Sequence, residues 1–235
     1  MITWSYAFID RPAADFTAAA AFWTAVTDTT PSERRGEQGE FATLLPVSGG
    51  APWVKLQGCA EGRGGAHIDL CSDDLRADLE RATAAGASVV ADHGAWAVLR
   101  SPAGQLFCLV PAHGEHRDGA ARDSRLDQVC IDLAPELFDA EAEFWPAATG
   151  WDARPSTLPE FHVVQPPASV PVRLLLQRLD EPRPTSAHLD LACADPSAVR
   201  ARHERHGARF LHEGKSWLVM ADPTGGVYCL TSRQP

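Results

Sequence analysis

Two strings of residues carry the side chains best suited to chemistry. Gly65-Ala66-His67-Ile68-Asp69-Leu70 and Ser186-Ala187-His188-Leu189-Asp190-Leu191 each place an imidazole two positions before a carboxylate. In an extended strand successive side chains alternate between faces. His67, Asp69 and Cys71 therefore share one face, and Ile68 and Leu70 the other. A carboxylate beside an imidazole fixes its tautomer, which suits His67 or His188 to the work of a general base. The same pair also serves as a hydrogen-bonded strut within a sheet. Cys108 and Cys229, further along, read as small buried apolar residues.

Other candidates carry less. His203-Glu204-Arg205-His206 spaces its imidazoles at i, i+3 rather than the i, i+4 of a zinc-protease helix, and reads as a partly exposed helix face. His113 and His116 fall in a polar stretch and are expected to be solvated. The sequence has no GxSxG elbow and no phosphate-binding P-loop. Gly62-Arg63-Gly64-Gly65 precedes a strand, so it cannot offer a helix N-terminus to phosphate. The net charge is −10, the wrong sign for binding nucleic acid or an anionic membrane surface. No run approaches the roughly 18–20 apolar residues that span a bilayer. The N-terminal residues form neither a basic nor an apolar leader, and the six cysteines show no close pairing. A cytoplasmic protein with free thiols is expected.

The two histidine strings belong to a longer repeat. From His67 to His188 is 188 − 67 = 121 residues. The same offset maps Asp74 onto Asp195, Arg81 onto Arg202, Trp96 onto Trp217, Pro102 onto Pro223, Gly104 onto Gly225 and Cys108-Leu109 onto Cys229-Leu230. Phe22-Trp23 matches Phe144-Trp145 one residue out of step. So many ungapped identities, Trp, His and Cys among them, mark a tandem duplication. The expected domains are residues 1–112 and 125–235, joined by a polar linker over 113–124.

Each copy carries the same elements. Ile2–Ile9 alternates like a strand, and Ala13–Thr27 has a helical stripe at Phe16, Ala19, Ala20, Trp23 and Thr27. Three short strands are expected near 30–34, 41–47 and 53–57. A further strand over 66–71 leads to a helix capped by Ser72-Asp73-Asp74, with Leu75, Leu79 and Ala82 as its buried stripe and Gly86 at its end. Strands near 89–90, 95–99 and 106–110 follow, the last two joined by the turn Ser101-Pro102-Ala103-Gly104. Trp23 and Trp145 are expected to pack helix against sheet. Trp96 and Trp217 read as core residues or as lining of a ligand site.

This βαβββ-βαβββ grammar resembles the vicinal oxygen chelate superfamily of glyoxalases, bleomycin-resistance proteins and extradiol dioxygenases. The carrying motifs are His-(Ile/Leu)-Asp-Leu, helix then Gly-Ala, and Pro-x-Gly-x-x-(Phe/Tyr)-Cys-Leu; they look like the glyoxalase-like branch common in bacteria. The resemblance implies an α+β fold, a tandem duplication of a glyoxalase-like domain, each copy built from two βαβββ modules curling into a cup. It also implies four ligand positions per cup. These fall at Tyr6, Gln57, His67 and Cys108 in the first copy, and at Gln128, Gln177, His188 and Cys229 in the second. Asp69, Asp190, Trp96 and Trp217 complete the expected ligand-binding set, with His67 and His188 as catalytic candidates. No carboxylate stands at these four positions in either copy, so no metal or other cofactor is expected. The implied reading is a bleomycin-resistance-like cup that holds a small aromatic or apolar molecule without the usual metal ligands. The alternative is a metal-dependent lyase, isomerase or dioxygenase acting from the second copy, with a divalent metal on Gln128, Gln177, His188 and Cys229. The expected partner is a small molecule, not nucleic acid or membrane.

Overall fold

A computed structural model describes residues 1–62, 64–115 and 123–235. Arg63, His116 and the middle of the expected linker lie outside the described residues. The first module opens with β1 (Ile2–Pro12), a 3-10 turn and α1 (Phe16–Thr27), followed by β2 (Thr29–Pro31), β3 (Phe41–Pro46) and β4 (Val54–Cys59). The second module holds β5 (Gly65–Ser72), α2 (Leu75–Ala84), β6 (Ser88–Asp92), β7 (Ala97–Arg100) and β8 (Leu106–Pro111). The second copy repeats the order with β9 (Ser124–Leu133), α3 (Phe138–Thr149), β10 (Asp152–Pro155), β11 (Phe161–Gln165) and β12 (Arg173–Arg178). It ends with β13 (Ser186–Cys193), α4 (Pro196–Arg205), β14 (Arg209–Glu213), β15 (Trp217–Ala221) and β16 (Val227–Thr231).

Each copy forms one eight-stranded sheet, ordered β2-β3-β4-β1-β5-β8-β7-β6 in the first and β10-β11-β12-β9-β13-β16-β15-β14 in the second. In the first copy each module's opening strand runs parallel to its closing strand, β1 with β4 and β5 with β8. The α+β fold of duplicated βαβββ modules is as the repeat predicts.

Local differences have physical causes. The first three residues expected in α1 form a 3-10 turn instead, and the helix ends where Asp28 adopts a left-handed conformation at φ 54°. Its buried face is Phe16, Ala19, Phe22, Trp23 and Val26, while Ala20 and Thr27 are only half-buried. On α2 the expected stripe is wrong at two positions. Leu75 and Leu79 are half-buried, and the fully buried residues are Ala82 and Asp78. A carboxylate survives there because Ser72 Oγ donates to Asp78 Oδ2 at 2.6 Å and Arg81 forms an ion pair with Oδ1. Asp74 caps α2 by accepting from Ala77 N–H, and Gly86 follows with φ +115°, as a helix-ending glycine requires.

By packing, the chain divides into two compact units, and each takes one module from each copy. The first unit holds Met1–Tyr6, the chain from His67 through β8, and Val129–Ala187. The second holds Ala7–Ala66, the residues just before Val129, and His188–Pro235. Inside the first unit, Phe107 of β8 meets Phe144 and Trp145 of α3, with ring centroids 6.0 and 5.0 Å apart. Arg81 Nε donates to the Ala148 carbonyl near the end of α3 at 2.9 Å. Inside the second unit, Phe22 and Trp23 of α1 pack on Tyr228 of β16 at 6.0 and 5.1 Å. Trp23 and Trp145 are fully buried, in the helix-to-sheet role expected of them.

Candidate functional site

The first copy gathers His67, Asp69 and Cys108. Asp69 and Cys108 are register partners on the parallel strands β5 and β8, and His67 lies two residues before Asp69 on the same face. One ligand atom from each of the three lies within 4.8 Å of the others. His67 Nε2 is 3.6 Å from Asp69 Oδ1, too long for a hydrogen bond but close enough for electrostatic pairing when the ring is protonated. Asp69 is buried, while His67 and Cys108 are half-buried. Burial, with help from Asp69, pushes the Cys108 thiol up, and its hydrogen bond with His67 offsets only part of that.

Tyr6, on β1, is buried and donates its hydroxyl to Glu115 Oε1 at 2.7 Å. Burial and this hydrogen bond push the phenol far up, with smaller contributions from Cys71, Glu115 and Asp69. Glu115 resists burial through the Tyr6 hydroxyl and the His113 N–H, which together hold its carboxyl below the ordinary range. The sequence reading missed Glu115. It sits in the stretch read as linker, and no local pattern tells a carboxylate that turns back onto a strand from one in solvent.

The second copy uses its equivalents differently. Gln128 is buried at 1% exposure and donates Nε2 to Asp190 Oδ2. Gln177, half-buried on β12 opposite Phe161, accepts from Cys130 Sγ at 3.8 Å. His188 Nε2 stands 3.4 Å from Asp190 Oδ1, and Cys229 is the register partner of Asp190. Cys130 was also missed, although strand alternation already placed it on the Gln128 face.

The remaining predicted residues scatter more widely. Gln57 is half-buried on β4, opposite Asp10 and Phe41. Trp96 is not a core residue: it is 38% exposed and stacks on His93 with centroids 4.0 Å apart. It lies just before β7, two residues from Val98, the register partner of Cys108. Trp217 is half-buried and lies against Gly214, the position equivalent to His93; a Cβ there would fall 2.2 Å from the indole. Cys229 is buried as expected, whereas Cys108 is half-exposed, and all six cysteines are free thiols.

His203 overturns its expectation. It is fully buried, because Val199 and His203 share the inward face of α4, and only His206 of the pair is exposed. Its Nδ1 lies 2.9 Å from Tyr228 Oη, and its ring meets Phe22 edge-on at 5.9 Å. A small cleft within the second unit is lined by Val26, Leu44, Trp53, Val54, Arg125 and Leu126 among others, and contains no predicted site residue.

Fold and site together define a class, the vicinal oxygen chelate superfamily: paired βαβββ modules with a fifth-strand histidine in each copy. Within it, a model for the glyoxalase-like domain matches residues 6–110 and 128–231, and the chain belongs to that family. No curated protein matches the chain in sequence. Among solved structures, the chain is similar to a Mn(II)-bound glyoxalase from Novosphingobium aromaticivorans at 19% identity and TM-score 0.71, covering 100% of this chain and 83% of that one. It is also similar to 2,2',3-trihydroxybiphenyl 1,2-dioxygenase from Sphingomonas wittichii at 17% identity and TM-score 0.68, covering 98% and 90%. A 2,3-dioxygenase from a Pseudomonas species gives 9% identity and TM-score 0.68, covering 96% and 90%. No helix among the described residues is long and apolar enough to cross a membrane.

The donor sets bear on the metal such neighbours suggest. Manganese(II) is a hard ion that favours carboxylate, carbonyl and water oxygens, with imidazole as a common partner. The first copy offers one imidazole, one carboxylate and one thiol. In the second copy Gln128 gives its amide to Asp190, and Gln177 spends an oxygen lone pair on Cys130. The thiol is the donor in the first set that manganese(II) favours least.

Proposed function

We propose that this chain binds a small aromatic or apolar molecule, held over the His67–Asp69–Cys108 floor and against Trp96. The observation that carries this reading is Trp96, a large aromatic surface left 38% exposed at the start of the strand that pairs with Cys108. Exposed indole at a polar floor suits a planar ligand, which gains stacking beyond the area it buries. Pairing of Gln128 with Asp190 and of Gln177 with Cys130 argues against the alternative, a metal-dependent enzyme working from the second copy. His67 and His188 stay in the reading as polar anchors, with Tyr6 and Glu115 beside the first. The free cysteines suit a reducing compartment, and we place the protein in the cytoplasm on that ground.

Tryptophan fluorescence tests the reading. A panel of phenols, planar aromatic acids and neutral heterocycles is titrated into the whole protein. At least one compound should quench saturably, and Trp96→Ala should weaken its binding about two- to tenfold, the range expected for one stacking contact. A panel with no saturable response would sink the proposal. Manganese(II) binding that depends on His188 and Gln177 would favour the enzyme instead.

A further inference from the structure

The first module carries charge that the duplication does not repeat. Gly58 on β4 faces the start of the helical segment: a Cβ there would lie 3.1 Å from the Phe16 ring and 3.3 Å from the Ala13 backbone. Strand alternation then puts Val54, Leu56 and Gly58 on the helix side, and Lys55 and Gln57 on the opposite side. Lys55 is half-buried there between its register partners, Phe8 on β1 and Thr43 on β3. Its Nζ lies 5.4 Å from the centre of the Phe8 ring, and Phe8 meets Phe41 edge-on at 6.4 Å. Arg35 reaches the same row, donating Nη2 to Thr43 Oγ1 at 2.6 Å and Nη1 to Ser32 Oγ at 3.3 Å. Asp10, opposite Gln57, shares this side and offsets one of the two positive charges.

Each of these positions has a counterpart in the second copy. Phe161 opposes Gln177 as Phe41 opposes Gln57, so Val163 stands for Thr43 and its partner Leu175 for Lys55. Ser156 N–H donates to the Phe161 carbonyl as Arg35 N–H donates to that of Phe41, so Ser156 stands for Arg35. Both cations are thus replaced by neutral side chains. Arg173, on β12, lies two residues before Leu175 and donates to Gln165 Oε1 at 3.5 Å. The fold itself does not require an ammonium on β4, because leucine serves at the same place in the sister strand. Half-burying that ammonium costs hydration, and recognition of an anion offsets the cost.

We propose that Lys55, with Arg35 beside it, forms a subsite for the carboxylate of a small organic acid, with Phe8 and Phe41 as its apolar wall. Hydrogen bonds from an ammonium or a guanidinium to a carboxylate are about twice as strong as neutral ones. The subsite goes beyond the aromatic reading above and does not rest on it, since it uses none of His67, Asp69, Cys108 and Trp96.

The test titrates benzoate, acetate, the uncharged match benzamide, and inorganic phosphate into the whole protein by calorimetry. Benzoate should bind about tenfold or more tighter than benzamide, and its affinity should fall with rising salt. Acetate should bind more weakly and compete with benzoate. Lys55→Leu, which imports the second-copy residue, should weaken benzoate about tenfold, and Arg35→Ser by less. Lys55→Arg, which keeps the charge, should retain most of the affinity. The unmodified chain gives a second readout, because its lysines are two, Lys55 and the exposed Lys215. Saturating benzoate should slow reductive methylation of Lys55, read by peptide mass spectrometry, and leave that of Lys215 unchanged. The proposal fails if benzoate does not bind, if benzamide binds as well, if folded Lys55→Leu binds benzoate unchanged, if benzoate leaves Lys55 methylation unchanged, or if phosphate binds more tightly than either carboxylate.

Discussion

Arg11 Nη2 lies 2.8 Å from Asp222 Oδ2, with the two side chains 2% and 0% exposed, although the residues belong to different copies of the repeat. Trp23 Nε1 donates to the same carboxylate oxygen at 3.0 Å, and the other oxygen accepts from Thr224 N–H, Thr224 Oγ1 and Gly226 N–H. Burial opposes ionisation of Asp222, but Arg11 and these donors outweigh it and hold the carboxyl below its ordinary range. The equivalent positions in the other unit are Leu133 for Arg11, Ser101 for Asp222 and Gln105 for Gly226. Each unit is thus internally matched, and exchanging partners would leave a buried charge alone.

Asp222→Ala should therefore cost about 3–5 kcal/mol, because it strands the Arg11 guanidinium and the Trp23 N–H together. Urea denaturation of the whole protein would show it as a lowered midpoint. A change under about 1 kcal/mol would mean that the pair contributes no more than a surface ion pair.

Gly226 leaves the space that Arg11 fills: a Cβ there would lie 2.0 Å from the guanidinium. Gly226→Gln, which imports the first-copy residue, should destabilise by about 1–3 kcal/mol through overpacking. Adding Arg11→Leu and Asp222→Ser should recover much of that loss, since the triple change reproduces the matched set of the other unit. Additive losses across the three changes would refute the matching.

Burial, with smaller contributions from Arg202 and His206, lowers the His203 pKa to about 3, against about 6.5 for the free side chain. The unfolded chain then binds the extra proton first. The stability tied to neutral His203 is present above about pH 6.5 and is lost as pH falls toward 3. The slope from this group approaches about 1.4 kcal/mol per pH unit within that window. His203→Gln should flatten the acid limb of a stability-against-pH curve by about one proton; an unchanged limb would place the acid sensitivity elsewhere.

In the other unit Glu141 takes the Trp145 N–H as Asp222 takes that of Trp23, although the two acids are not at equivalent positions of the repeat. It is fully buried, accepts from Trp145 Nε1 at 2.7 Å and from Ala103 N–H at 2.8 Å, and is raised in pKa because burial outweighs these donors. A raised carboxyl favours the folded state most below its unfolded pKa, and that contribution is lost as pH rises through the folded value. Glu141→Leu should cost about 2–4 kcal/mol at neutral pH by leaving the buried Trp145 N–H and the half-buried Ala103 N–H without their acceptor. Glu141→Gln should cost less and remove the pH dependence. Equal losses in the two variants would argue against the hydrogen-bonding account.

The duplication, the βαβββ grammar and the histidine strands were legible in the sequence because each rests on local signals. These are strand alternation, capping residues, turn glycines and an ungapped repeat carrying rare residue types. The fully buried roles of Trp23 and Trp145 followed from helical spacing alone. His203 did not: it looked like a partly exposed helix residue, and only a partner distant in sequence, Tyr228, makes its burial tolerable. Glu115 beside Tyr6, Gln128 on Asp190 and Cys130 on Gln177 are likewise long-range contacts, which no local pattern encodes. The sequence by itself determined two copies of one fold. Which module packs with which was decided by the tertiary structure, through complementary buried pairs such as Arg11 and Asp222 that acquire meaning only when copies that look interchangeable are brought face to face.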